Sequence, residues 1–338
     1  MNLHDNKDVF EAAIQLASTP KDEGGLGIKQ IYIEKDYWIC RSLKQLAECE
    51  ESEVAVFKGG TSLSKAFGLG NRFSEDIDIA ITSDADRTEN QTKRIISRIS
   101  SAMSVGLEEV QTPTTRKYSK YRKAFYHYPV AVETNVIGAI NPGQILLEIV
   151  SFANPYPYGK RTIKCFLTEY FEKNGREDLI EEYGMHGFEI NVLAKSRTAT
   201  EKLVSLIRHS LATDFMPELK AKIRHFYDLY FLWNDPECKA YLRSEEFRKE
   251  FQTLLSCDQA RFKEPKGWRD RNITDSPLIT SFGTVWEELS KVYSKELPEL
   301  AYQTGAFRDE LGLTGVKGTG VSKGLVQDDP SFQSGSDV

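Results

Sequence analysis

Residues 57–81 decide how this chain is read: Phe57-Lys58-Gly59-Gly60-Thr61-Ser62-Leu63-Ser64-Lys65, then Ala66 to Asn71, then Arg72-Phe73-Ser74-Glu75-Asp76-Ile77-Asp78-Ile79-Ala80-Ile81. The apolar run Val54-Ala55-Val56-Phe57 stops at Gly59-Gly60, as a buried strand does on entering a tight turn. Residues 61–68 fit a brief helix, and Ile77 to Ile81 fit a second strand. On a strand alternate side chains share a side, so Asp76 and Asp78 point together while Ile77 and Ile79 enter the core. Two carboxylates side by side repel unless a cation lies between them. Mg²⁺ (or Mn²⁺) suits such a pair, because it takes one or two carboxylates and completes its shell with water and phosphate.

The upstream glycines supply the complement. Gly59 and Gly60 let the backbone approach a triphosphate closely, and N–H groups at the following helix start favour anions. Thr61 and Ser62 add hydroxyl donors, and Ser74 stands just ahead of the acidic pair. A lone Asp-x-Asp on a strand is ordinarily solvated charge, and Gly-Gly alone is an ordinary turn. Their order, strand, Gly-Gly-Thr-Ser, helix and Arg-x-Ser-x-Asp-x-Asp, singles out a site for a nucleoside triphosphate with its phosphates over a metal.

A two-metal centre acting on a triphosphate works best with a third acid on a neighbouring strand. Gln144-Ile145-Leu146-Leu147-Glu148-Ile149-Val150 places one acid in an otherwise apolar strand, costly to bury without a metal or a basic partner. The bland alternative is a strand-end glutamate whose head reaches water. Glu133, in Val130-Ala131-Val132-Glu133-Thr134, competes with Glu148 for the role.

Outward from this block, residues 8–18 and 31–48 carry helical apolar spacing, and residues 89–104 read as an amphipathic helix. Strand-like segments at 122–138 and 144–152 are split by the turn Asn141-Pro142-Gly143. After about residue 160 the pattern turns to long helical stretches, clearest from Ala199 to Leu211 and from Pro217 to Trp233. The expected fold is α/β (α+β): a small mixed-sheet domain followed by a mostly helical one. The domains are placed at 1–155 and 156–311, with a Gly- and Ser-rich tail, 312–338, expected to be disordered.

In the helical half, Lys202 lies beside the apolar face made by Leu203, Leu206 and Ile207, placed to meet β- and γ-phosphates or to pair with a nearby acid. Arg224 and Asp228 have ordinary ion-pair spacing on one helix. The stretch Arg116-Lys117-Tyr118-Ser119-Lys120-Tyr121-Arg122-Lys123 carries five positive charges and no acid. It reads equally as an RNA-binding stripe with a stacking ring or as the charged face of an edge strand.

The chain has 338 residues and a net charge of −6, so nucleic-acid binding must come from a local patch such as Arg116, Lys117, Lys120, Arg122 and Lys123. Its five cysteines form no CxxC pair and no zinc spacing with histidine, as in reduced intracellular proteins. The N-terminus lacks an apolar signal core, and no apolar run approaches the roughly 20 residues that span a bilayer. A cytoplasmic protein without membrane association is expected. The scattered histidines give no metal site or catalytic dyad, and no serine elbow, P-loop or dinucleotide fingerprint is present.

The arrangement resembles the DNA polymerase beta-like nucleotidyltransferase superfamily and, more narrowly, the AbiEii/AbiGii toxins of bacterial toxin–antitoxin and phage-defence systems. Ile33-Glu34-Lys35-Asp36-Tyr37-Trp38, the Phe57 to Ile81 block, Glu201-Lys202-Leu203 and Arg224-His225-Phe226-Tyr227-Asp228-Leu229 carry the likeness. The superfamily's usual Gly-Ser is Gly59-Gly60 here, which leaves either Thr61 or Ser62 as the phosphate-contacting hydroxyl. The resemblance implies transfer of NMP from an NTP to an RNA acceptor, the tRNA 3′ end, by a growth-arresting toxin. It favours Glu148 as third acid and implies that Lys202, Arg224 and Asp228 face the nucleotide. It also implies a separate antitoxin of the AbiEi type. Modification of a protein side chain and non-catalytic NTP binding are the alternatives.

Overall fold

In the computed structural model, which describes residues 1–70, 72–132, 141–152, 154–300 and 302, the chain divides into two compact units. The first is built from Met1–Ala194 joined by Leu300 and Tyr302, and the second from Lys195–Glu299. Glu133 and the tail 312–338 lie outside the described residues.

In the first unit, α1 (Lys7–Ser18) and α2 (Gln30–Glu48) precede β1 (Ala55–Lys58), α3 (Gly59–Phe67), β2 (Asp76–Ile81) and α4 (Glu89–Met103). Then come β3 (Glu108–Val110), β4 (Arg116–Lys117), β5 (Tyr121–His127), β6 (Gln144–Val150), β7 (Tyr158–Ile163), α5 (Phe166–Lys173), α6 (Glu177–Glu182) and β8 (Phe188–Leu193). The strands form one mixed sheet in the order β3-β5-β6-β2-β1-β8-β7, with β4 paired to β5. β2 runs parallel to β6 and β1 parallel to β8, while the remaining pairs are antiparallel.

The Asp-Ile-Asp-Ile alternation does what a half-buried strand requires. Ile77, Ile79, Leu147 and Ile149 are buried on one face, where burying each side chain is worth about 1.5–3 kcal/mol. Helix α4 covers that face: its Ser100 hydroxyl shares a 2.9 Å hydrogen bond with the Tyr126 hydroxyl, and Tyr126 is in register with Ile145. Thr88 and Gln91 start α4 with a capping box. Asp76, Asp78 and Glu148 occupy the other face.

β7 and β8 fall inside the stretch expected to be helical. β8 is buried from Ile190 to Leu193 between β1 and β7, so it lacks the polar alternation that marks a half-exposed strand. β7 is an edge strand whose Lys160 and Arg161 are exposed, which hides it from a hydrophobicity pattern.

The second unit contains α7 (Lys195–Ser210), α8 (Phe215–Lys220), α9 (Ile223–Asn234), α10 (Pro236–Leu242), α11 (Glu245–Arg261), α12 (Pro277–Thr280) and most of α13 (Phe282–Leu300). Its core includes Ile207, Leu211 and fully buried Trp268, against which Phe251, Leu255, Phe262, Ile273 and Ile279 pack. Among the described residues, no helix is long and apolar enough to cross a membrane.

Candidate active site

The Gly-Gly turn and the acidic strand meet directly. β1 and β2 pair antiparallel with Lys58 opposite Asp78, so the chain leaves β1 into α3 beside the second carboxylate. Gly59 takes φ +82°, a backbone region that L side chains rarely adopt, and a Cβ there would collide with the Asp78 carboxylate. Only glycine satisfies both conditions. α3 starts at this residue, with no side chain capping its first turn, so its N–H groups open next to Asp78.

The hydroxyls of the turn are used inward. Thr61, 2 % exposed, donates to the Asp76 carbonyl at 2.5 Å, tying α3 to the start of β2. Ser62, fully buried, donates to the Gly59 carbonyl at 2.9 Å. Both are engaged by backbone oxygens, while Gly60 and Ser74 are half-buried.

The parallel pairing of β2 with β6 sets Asp76 opposite Leu146 and Asp78 opposite Glu148. Registered partners share a face and lie roughly 4.8 Å apart, so the three carboxylates occupy adjacent positions on one side of the sheet. Glu148 has the basic partner that its burial calls for: Lys123, opposite it on β5, holds its carboxylate at 2.8 Å. Tyr121, two residues back on the same face, donates its phenol to Glu148. Burial, then the fields of Glu148 and Asp78, push the Tyr121 pKa up to about 12. The chemistry of this donor set, hard carboxylate oxygens only, fits a divalent cation such as Mg²⁺. Among the described residues, however, no three His, Cys, Asp or Glu side chains converge into a ready ligand group.

The basic stripe divides by strand parity. Arg116 registers with Lys123 and so shares the carboxylate face, whereas Lys117 registers with Arg122 on the other face. Lys117 pairs with Glu109 at 2.5 Å, and Lys120 is exposed in the turn between the two strands. Lys123 and Tyr121 are what sequence reading left unassigned to the acids; reading β5 with a period of two from Glu148's strand finds them.

In the second unit Lys202 lies on α7 and Asp228 on α9, both buried, with Nζ 2.8 Å from the carboxylate. Asp228 thus takes Lys202 as partner, while Arg224, one turn earlier on α9, is half-buried.

A mixed sheet that lines up acidic strands beside a Gly-Gly helix start is the layout of a nucleotidyltransferase. Residues 41–306 match the family described as nucleotidyl transferase AbiEii toxin, Type IV toxin–antitoxin system, and the chain belongs to that family. It is similar to the solved structure of the MenT4 nucleotidyltransferase toxin of Mycobacterium tuberculosis H37Rv at 14 % identity and TM-score 0.35, covering 84 % of this chain and 98 % of that one. JHP933 from Helicobacter pylori is similar at 15 % identity and TM-score 0.31, over 79 % of this chain and 94 % of that one. Among curated proteins none matches. The assignment therefore rests on the family match, which makes the chain a toxin-family nucleotidyltransferase with an NTP substrate and a cognate antitoxin.

Proposed function

We propose that this chain transfers NMP from an NTP to an RNA acceptor, the tRNA 3′ end, and so acts as the growth-arresting half of a toxin–antitoxin pair. The observation that carries the reading is the placement of Asp76, Asp78 and Glu148 on one face of paired parallel strands, with the glycine start of α3 against Asp78. Asp76, Asp78 and Glu148 would hold Mg²⁺ or Mn²⁺, which supplies charge neutralisation of the triphosphate and of the leaving pyrophosphate.

The chain's own groups do the rest. Backbone N–H groups at Gly60, Thr61 and Ser62 receive phosphate oxygens, since the two hydroxyls are engaged by carbonyls. Ser74, half-buried ahead of β2, stands as a further hydroxyl for the nucleotide. Glu148 accepts the proton of the attacking acceptor hydroxyl, which then forms a bond to the α-phosphorus as the bond to pyrophosphate breaks. In the second unit Lys202, oriented by Asp228, is the candidate phosphate-binding cation, with Arg224 beside Asp228 on the same helix. Arg116 and Lys123 are the cations of the stripe that share the carboxylate face, and Lys117, Lys120 and Arg122 would extend RNA contact beyond it. The partner is an antitoxin of the AbiEi type, and the setting is the bacterial cytoplasm and phage defence.

Each radiolabelled NTP is incubated with total RNA and, separately, with cell extract. Label entering tRNA in the presence of Mg²⁺, and lost with Asp78→Asn, is the expected result. Label entering protein instead would replace the acceptor. Toxicity that survives an Asp76→Ala/Asp78→Ala double change would sink the enzyme reading.

A further inference from the structure

Helix α2 carries Glu34, Lys35 and Asp36 in succession, at 2 %, 1 % and 2 % exposure. Three buried charges in a row are expensive unless each finds a partner. Successive helical residues point in different directions, and here each charge serves a different segment. Glu34 accepts from the amides of Ala131 at 2.5 Å and Val132 at 3.4 Å. Asp36 pairs with Lys65 of α3 at 2.7 Å and accepts from the Phe166 amide at 2.7 Å. Lys35 donates to Glu75 at 2.6 Å and to the Asn141 carbonyl at 3.0 Å.

The partners of Lys35 are placed with purpose. Glu75 immediately precedes Asp76 at the entry of β2, and Asn141 lies just ahead of Gln144 at the entry of β6. One ammonium therefore spans the entries of the two strands that carry the carboxylates. β2 and β6 are parallel and joined by a long excursion from Ile81 to Gln144, so no tight turn fixes their register. A slip of one residue would turn Glu148 to the apolar face and leave Asp78 beside an isoleucine or a leucine. Burial of Ile77, Ile79, Leu147 and Ile149 favours the observed register, and contacts at the strand entries add to it; Lys35 makes one to each.

We propose that Lys35 is a positioning residue for nucleotidyl transfer: by tying Glu75 to the Asn141 carbonyl it sets β2 against β6 so that Asp78 meets Glu148. The inference rests on the reading of this face as the transfer centre. It deepens that reading by giving the Glu34-Lys35-Asp36 segment a task.

The test compares Lys35→Met, Glu75→Ala and Glu75→Gln with the full-length wild type, and with Asp78→Asn as the control for the centre itself. Two readouts are taken: kcat and KM for the NTP, and binding of Mn²⁺ alone to the protein by electron paramagnetic resonance. Lys35→Met and Glu75→Ala are expected to lower kcat at least about tenfold, to leave KM within roughly twofold, and to weaken Mn²⁺ binding several-fold. Glu75→Gln still accepts a hydrogen bond from Lys35 and is expected to keep kcat within about threefold of wild type. Folded Lys35→Met with wild-type kcat and Mn²⁺ affinity overturns the proposal, as does Glu75→Gln as damaged as Glu75→Ala. If Lys35→Met fails to fold, Glu75→Gln against wild type decides, because it keeps the side chain's volume and an acceptor for Lys35: Mn²⁺ affinity and kcat near wild type are expected, and loss of both in the folded variant overturns the proposal. A wild type that neither transfers label nor binds Mn²⁺, and matches Asp78→Asn in both, overturns the transfer reading itself and the inference with it.

Discussion

Gly59 lies against the Asp78 carboxylate at φ +82°, with no room between them for a methyl group. Gly68, at the other end of α3, has a similar φ of +62° and open space around it. Alanine at either position takes on backbone strain of order 1–3 kcal/mol. At Gly59 alone it must also displace a proposed metal ligand. Gly59→Ala is expected to lower label transfer by about a hundredfold, and Gly68→Ala to lower the melting temperature comparably with transfer near wild type. Equal transfer by the two variants would refute a site at this contact.

The Lys202–Asp228 pair separates stability from function. Both side chains are buried, so Lys202→Met or Asp228→Asn alone leaves a charge without its partner and should cost roughly 3–5 kcal/mol. The double change Lys202→Met/Asp228→Leu removes both charges and should recover most of that loss in a chemical denaturation curve. Transfer is expected to stay low in the double variant. Recovery of activity along with stability would mark the pair as purely structural.

Glu148 gives the opposite profile. Its pair with Lys123 is about one-quarter exposed on both sides, so Lys123→Met should cost less than breaking the buried Lys202–Asp228 pair. Glu148→Gln keeps an acceptor for Tyr121 and is expected to melt within a few degrees of wild type, yet to transfer label at least about a hundredfold more slowly. Chelation should abolish transfer by the wild type, and added Mg²⁺ or Mn²⁺ should restore it. Full activity in a chelator would remove the metal from the mechanism.

Stability at low pH should report on His209. Burial lowers its pKa to about 4, opposed by the 2.6 Å contact of Nδ1 with the Ser205 carbonyl. Between about 6.5 and 4 the unfolded chain takes up a proton that the folded chain refuses, so stability falls as pH drops through that window. The loss is on the order of 2 kcal/mol. Melting curves at pH 5 and 7.5 should differ more for wild type than for His209→Gln.

The elements around the carboxylate face of the first unit are legible in the sequence because their signals are local. Glycine pairs, strand alternation and the Asp-x-Asp spacing are all set within about a dozen residues, and α2, α4, β2 and β6 lie where periodicity places them. Partners set by distant segments were not legible. Nothing near Thr61 says that the Asp76 carbonyl takes its hydroxyl, whereas Ser62 bonds the Gly59 carbonyl only three residues back. Lys123 reads as one cation in a basic run until β5 is laid against β6 and half the run turns toward Glu148. β8 stayed hidden because a central strand buried on both faces has no alternation to read. Asp228 pairs with Lys202 on another helix, although Arg224 on its own helix has the local ion-pair spacing.

The in-register meeting of Asp78 with Glu148 also bears on synthesis of the chain. Because β6 follows β2 only after the excursion from Ile81 to Gln144, a nascent chain that has exposed the Gly-Gly turn and both aspartates still lacks Glu148. Strand pairing at such separation forms late and slowly. On the proposed reading, a ribosome-bound fragment would stay catalytically silent until β6 has emerged and docked, so that the chain would be made before it is armed.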